Sequence, residues 1–233
     1  VSRPTIYAAL KKARLQQFLP SNSTNHRYRS IQFGLKRLAK VEASIQARLK
    51  RQAQRYNKSY PGELVHFDTK RLPLLKGQTN AQPREYLFVA IDDYSRELYA
   101  TIMPDKTQDS AAQFLTDNVL AQCPYQIDYA YSDNGKEYKG TTNHAFAKGC
   151  SQNNIGQKFT RVARPQTNGK AERVIRTIME MWHDKMQFSD SMHRQLELNR
   201  FINFYNTVKP HKSLNNLTPY ETLQTYFNQA NCK

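Results

Sequence analysis

The sequence has little of what staples a small secreted domain or anchors a membrane protein. There are three cysteines in 233 residues, Cys123, Cys150 and Cys232, and no two have Cys-x-x-Cys spacing. That excludes a disulfide framework and a cysteine-based zinc site, and it suits a reducing cytoplasm. No apolar run approaches the ~20 residues of a membrane span, and mean hydropathy is −0.80, so no membrane association is expected. No positively charged start followed by an apolar segment marks a secretory signal. Acidic residues are scarce in one region only. Residues 1–60 hold 14 Lys or Arg against a single acid, Glu42, whereas residues 61–233 hold 21 against 18. The formal charge of +16 is therefore concentrated in the N-terminal arm. Such an arm points to a polyanion, nucleic acid before membrane, with a plainly solvated basic surface as the bland alternative. The chain begins at Val1 rather than Met, as a fragment or a processed form does.

Four stretches follow in order. In residues 1–19, Ser2 can cap a helix with Pro4 in its first turn, and Ile6, Ala9, Leu10 and Ala13 form its apolar stripe. So short a face does not stand alone. It fits the recognition helix of a helix-turn-helix whose earlier part precedes Val1, with Arg3, Thr5 and Tyr7 toward bases and Lys11, Lys12 and Arg14 toward phosphates. An ordinary amphipathic basic helix is the competing reading. Residues 20–60 are a polar linker, then a helix marked by Leu35, Leu38, Val41, Ile45 and Leu49, with lysines and arginines on its other faces.

Residues 61–190 read as a mixed α/β domain. Strands are expected at Leu64–Lys70, Tyr86–Asp92, Leu98–Met103, Gln126–Ser132 and Gln157–Val162, and helices at Asp109–Gln122 and near His144–Asn153. In the first strand, alternation sets His66, Asp68 and Lys70 on one face and Val65 and Phe67 on the other. Residues 191–233 carry two more helices, roughly Ser191–Asn206 and Thr218–Asn228. The second opens on a capping box, Thr218 with Glu221, and has Pro219 at its first position.

Three acids stand out. Asp68 closes one apolar run, Asp133 closes another before the tight turn Asn134-Gly135, and Glu172 lies in the first turn of the helix beginning near Lys170. Brought together, they form an oxygen-only set suited to Mg²⁺ or Mn²⁺. Three carboxylates can hold two such ions ~4 Å apart for an in-line phosphodiester displacement. Without cations the cluster repels itself. The alternative leaves Asp133 as a turn residue and Glu172 as a complement to the helix dipole.

Three segments carry a resemblance: His66-Phe67-Asp68, Tyr131-Ser132-Asp133-Asn134-Gly135-Lys136-Glu137-Tyr138, and Arg164-Pro165-Gln166-Thr167-Asn168-Gly169-Lys170-Ala171-Glu172-Arg173. In this order they resemble the acidic motifs of DDE transposases, in particular bacterial insertion-sequence transposases with a retroviral-integrase-type core. Asp92-Asp93-Tyr94-Ser95-Arg96 is similar to that family's second-strand turn. Phe204-Tyr205-Asn206, Pro210-His211-Lys212-Ser213-Leu214 and Leu217-Thr218-Pro219 are similar to its C-terminal signature. The 38 residues between Asp133 and Glu172 exceed the family's usual spacing, and Lys139–Asn143 is the turn that can absorb the excess.

The resemblance implies an RNase H-like mixed five-stranded sheet flanked by helices and preceded by a basic helical DNA-binding arm. It implies a catalytic and metal-binding triad of Asp68, Asp133 and Glu172 holding two Mg²⁺, or Mn²⁺, ions. Asp92 and Asp93 are left structural, and Glu137 is a support or surface acid rather than a ligand. Asn134, Gln166, Asn168, Lys170 and Arg173 are expected at DNA around the site. The implied activity is cleavage at element ends and transfer of the 3′-hydroxyl into target DNA, in a bacterial cytoplasm at the nucleoid, by a homodimer or larger multimer. A catalytically idle DNA-binding regulator and a structure-specific nuclease on the same fold are the rivals. If the arm tracks phosphates, raising salt from ~50 to ~200 mM should weaken duplex binding by about 10³-fold or more in an anisotropy titration.

Overall fold

Alternation in the sequence becomes a sheet of five strands: β1 (Val65–Arg71), β2 (Tyr86–Asp92), β3 (Leu98–Met103), β4 (Tyr129–Ser132) and β5 (Gly156–Phe159). Their order is β3-β2-β1-β4-β5. β2 pairs antiparallel with both β1 and β3, while β4 joins β1 in parallel and β5 joins β4 in parallel. The helices are α1 (Gln108–Gln113), which continues as a π-helical segment Phe114–Leu120, then α2 (Ala145–Gln152), α3 (Gly169–Met181), α4 (Ser191–Thr207) and α5 (Pro219–Asn231). This mixed sheet with helices on its faces is the RNase H-like arrangement expected above.

The computed structural model describes Ala8 and residues 37–47, 57–79, 81–141, 143–160 and 168–231. The chain divides into two units, Val1–Tyr56 and Asn57–Lys233. In the first, residues 37–47 are helical as expected, with Leu38 and Val41 half-buried and Ile45 exposed. Apart from Ala8, the expected recognition helix lies outside the described residues, and so do Arg3, Thr5, Tyr7, Lys11, Lys12 and Arg14. Among the described residues no helix is long and apolar enough to cross a membrane.

Each face of the sheet has its own core. Val65 and Phe67 of β1 and Phe88 and Ala90 of β2 pack with Phe114, Leu115 and Phe146 on the α1–α2 side. Leu87, Val89 and Ile91 of β2 pack with Val174, Ile178, Trp182, Leu198 and Phe201 on the α3–α4 side. β2 is thus buried on both faces, which accounts for its nearly unbroken apolar run. Trp182 is a packing anchor, its ring centroid 5.1 Å from that of Phe188.

Helix starts follow their caps. Thr107 accepts from the Ser110 amide ahead of α1. Thr218 and Glu221 form a reciprocal box ahead of α5, at 2.8 Å for the Thr218 amide to Glu221 Oε2 and 3.1 Å for the Glu221 amide to Thr218 Oγ1. Two expectations shift. β4 begins at Tyr129 rather than Gln126, and just ahead of it the Asp128 amide donates to the Gly62 carbonyl at 2.8 Å. Gly62, at φ +85°, has no space for a Cβ, which would meet the Gln126 carbonyl oxygen. The helix expected over Asp109–Gln122 widens to π geometry at Phe114.

β3 is an edge strand, and α4 covers it. Asn206 Oδ1 accepts from the Leu98 amide and Asn206 Nδ2 donates to the Leu98 carbonyl, both at 2.9 Å. Gln195 Oε1 accepts from the Ile102 amide at 2.8 Å. The side-chain amides act as substitute backbone and blunt an edge otherwise open to strand pairing. Asn206→Ala should therefore cost about 1–3 kcal/mol in urea unfolding and speed hydrogen exchange at the Leu98 amide.

Candidate active site

The parallel pairing of β1 and β4 aligns Val65 with Ala130 and His66 with Tyr131. Asp68 lies two residues past the last β1 residue paired with β4, and Asp133 directly follows the end of β4. Because Val65 and Phe67 point into the α1–α2 core, His66 and Asp68 point to the α3 side. Glu172 lies in the first turn of α3, exposed, while Ala171, Val174, Ile175 and Ile178 bury the helix against the sheet.

The Asp68 carboxyl is perturbed. Burial lifts its carboxyl to about 6, the charges of Asp133 and Glu172 add to the rise, and the Thr69 amide, donating at 2.8 Å, opposes it. The three acids are thus within electrostatic reach of one another. They are not drawn to ligating distance: among the described residues no three His, Cys, Asp or Glu side chains are close enough to hold an ion. The donor set of three carboxylates fits a hard divalent ion in kind, with Asp68 and Asp133 half-buried and Glu172 exposed.

A buried network fixes the helix that carries Glu172. Asn168 donates through Nδ2 to the Phe67 carbonyl at 3.1 Å, next to Asp68, and its Oδ1 lies 3.2 Å from His66 Nδ1. His66 Nε2 lies 2.8 Å from Asp93 Oδ2, and Lys170 Nζ lies 2.6 Å from the same oxygen. The Lys58 amide donates to Asp93 Oδ1 at 2.9 Å. Burial would raise the Asp93 carboxyl, but the His66 hydrogen bond and the Lys170 charge outweigh it and hold the group at about 2. Burial, with the Arg96 charge, brings the Lys170 ammonium down to about 8 against the pull of Asp93. Asp92 accepts from the Gly62 amide at 2.9 Å and from the Ser95 amide and hydroxyl at 2.7 Å, and so braces the β2–β3 turn.

The turn after β4 is built as tightly. Asp133 Oδ1 accepts from the Gly135 amide at 2.9 Å. A Cβ on Gly135 would lie 2.5 Å from Glu137 Oε2 and 2.8 Å from Asp133 Oδ1, so a larger residue here would displace one or both carboxylates. Glu137 is buried and pairs with Lys106 at 2.9 Å. Tyr138, fully buried, has its hydroxyl 2.7 Å from Thr69 Oγ1, tying this turn to the residue after Asp68.

Of the side chains expected at DNA, Asn134 and Arg173 are exposed. Asn134 donates to the Thr160 carbonyl at 3.0 Å and accepts from Lys139 at 2.7 Å. Asn168 and Lys170 turn inward to the network around Asp93, and Gln166 lies outside the described residues. Sequence reasoning passed over Lys106, since a lone lysine before a cap residue has no distinguishing signal. It left Asp93 as a brace of its own turn, with no hint that the group reaches β1 and α3.

Comparison with known proteins points to one family. Two models described as Integrase core domain match residues 58–165 and 153–219. A protein named as an integrase, ORF3 of Spiroplasma virus SpV1-C74, is 25% identical over 192 residues, which are 76% of this chain and 51% of that protein. An uncharacterized protein of insertion element IS136 from Agrobacterium fabrum is 27% identical over 103 residues, 44% of this chain and 51% of that protein. The chain thus spans about half the length of these two relatives. The crystal structure of the catalytic core domain of BIV integrase superposes with a TM-score of 0.52 at 19% identity, covering 72% of this chain and 98% of that one.

The Asp93 network makes a prediction about acid. Its folded-state value lies below the ordinary 3.8, so the ionised carboxylate stabilises the fold above about pH 4, and that contribution is lost as pH falls toward about 2. Asp93→Asn should cost about 3 kcal/mol in denaturant unfolding at pH 6, and the gap from the parent protein should narrow at pH 3.

Proposed function

Over residues 58–219 the chain carries the integrase core domain of the DDE transposases and integrases, and on that footing we propose a DNA transposase. It nicks DNA at the ends of a mobile element and joins the freed 3′-hydroxyl to target DNA. The observation that supports this reading is the parallel pairing of β1, which carries Asp68, with β4, which leads into Asp133, together with the Asp133 and Glu172 charges that reach Asp68.

In this reading Asp68, Asp133 and Glu172 hold Mg²⁺ or Mn²⁺. When bound, a pair of such ions supplies activation of the attacking oxygen and charge stabilisation of the leaving oxygen. The protein's own part is placement. β1 carries one carboxylate, the turn after its parallel neighbour β4 carries the second, and Asn168 holds the start of α3 one residue from Asp68. Closure of the site falls to Glu172, the exposed member. No side chain acts as nucleophile: water attacks the phosphorus and releases a 3′-hydroxyl, and that hydroxyl then attacks a target phosphodiester and displaces another 3′-oxygen. Asn134, Lys139 and Arg173, exposed around the acids, face the DNA, and the basic arm binds the element end. Two ends must be joined in concert, so the working form is a homodimer or a higher multimer.

The test is joining of labelled end DNA to a target duplex in Mg²⁺. Asp68→Asn, Asp133→Asn and Glu172→Gln should each reduce joining by about 10³-fold or more, the loss expected when several kcal/mol of charge stabilisation are removed. Undiminished joining by any of the three overturns the assignment. Cleavage without joining by the parent protein would favour a structure-specific nuclease, and binding without either reaction an idle regulator.

A further inference from the structure

One ion pair beside the acids has no part in the reading so far. Lys106 sits between β3 and α1, immediately before the cap residue Thr107. Its ammonium lies 2.9 Å from Glu137 Oε1. The Glu137 side chain is 3% exposed and that of Lys106 39%. The other Glu137 oxygen shares the space beside Gly135 with Asp133 Oδ1, at 2.5 and 2.8 Å from the point a Gly135 Cβ would occupy. A surface salt bridge of this kind ordinarily contributes little. Here the carboxylate is buried in the same turn as a second one, Asp133, and like charges held near each other repel unless a cation lies alongside. Lys106 is that cation, and its field reaches further than its partner. Burial would depress the ammonium, yet Glu137, with Asp133 and Asp68 behind it, raises it, and Lys106 in turn lowers Asp68.

We propose that Lys106 and Glu137 are positioning residues that set the divalent-ion affinity of the Asp68–Asp133 site. Lys106 acts as the resident counter-charge that a metal ion must work against, and Glu137 holds that charge to one side of Asp133. This rests on the metal-site reading above and adds a sign to it. Removing the lysine charge takes away a repulsion felt by an incoming cation. Removing the glutamate charge takes away an attraction and frees the ammonium to turn toward Asp133.

The experiment is a Mn²⁺ titration of the full chain, stripped with chelator and free of DNA, followed by electron paramagnetic resonance and by thermal shift. Lys106→Met should tighten Mn²⁺ binding about tenfold, the effect of one unit charge ~6 Å from a divalent ion in a solvent-like dielectric. Glu137→Gln should weaken binding by a similar factor, and the double variant should fall between the two. A pair that is only structural would lower the unfolding midpoint equally with and without Mn²⁺ and leave the affinities equal, and that result overturns the proposal. Should Lys106→Met fail to fold, Lys106→Gln and Glu137→Gln carry the same opposed signs. If the parent protein and Asp68→Asn bind Mn²⁺ alike, the site reading itself fails and this inference falls with it. If Asp68→Asn alone loses binding while the charge variants match the parent, only the inference fails.

Discussion

The side chain on which the arrangement depends is Asp93, a buried carboxylate that touches neither DNA nor metal in the proposed reading. It is 1% exposed, and a lone charge so placed is untenable. His66 from β1, Lys170 from α3 and the Lys58 amide converge on its two oxygens. Three separate parts of the chain are therefore fixed to the β2–β3 turn by one desolvated group. Breaking such a group is far costlier than its net worth as an interaction, which is why it acts as a constraint more than as a source of stability. Through Asn168, the same network pins the start of α3 to the Phe67 carbonyl.

Two neighbouring acids show how environment separates roles. Asp93 and Asp68 belong to adjacent parts of one sheet, and both are largely shielded from water. Asp93 is surrounded by donors and sits at about 2, whereas Asp68 has one amide donor, two acidic neighbours and a distant ammonium and sits at about 6. The first is a completed interaction. The second has acidic neighbours and, among the described residues, only one close donor. Divergent environments for paired acids are the usual mark of a working site. Asp92 and Asp93, adjacent acids at a strand end, are structural groups on other grounds, since donors from the chain occupy the oxygens of both.

Much of this was legible from residues alone, because the signals involved are local. Period-two alternation placed β1 and told which face Asp68 takes, and the apolar run of β2 implied burial on both sides. Thr218 and Glu221 announced their helix by spacing. What stayed hidden depends on residues far apart in sequence. Asn206 is an unremarkable polar residue in a helix until β3 lies beside it, 108 positions away. Lys170 sits in a motif that suggests phosphate contact, yet a carboxylate 77 positions upstream takes its ammonium. The π-helical widening at Phe114 has no sequence signature either, since α and π turns bury the same apolar residues.

How Glu172 completes the site is limited by what holds its helix. Asn168 occupies the N-cap position of α3 but does not cap, because its amide is spent on His66 and Phe67. The helix thus forgoes a side-chain cap, ordinarily worth about 1 kcal/mol, in exchange for a fixed origin beside Asp68. Behind that origin, Ala171, Val174, Ile175 and Ile178 lock its rotation, since a slip of one residue turns the helix by about 100° and would expose all four. Glu172 therefore cannot approach by sliding or rolling the helix. In the proposed reading it would have to reach the two aspartates by its own side-chain torsions, which are few and inexpensive. A rigid helix with one exposed, rotatable carboxylate would then let the fold be complete before an ion binds, and leave the last ligand to be set by what binds.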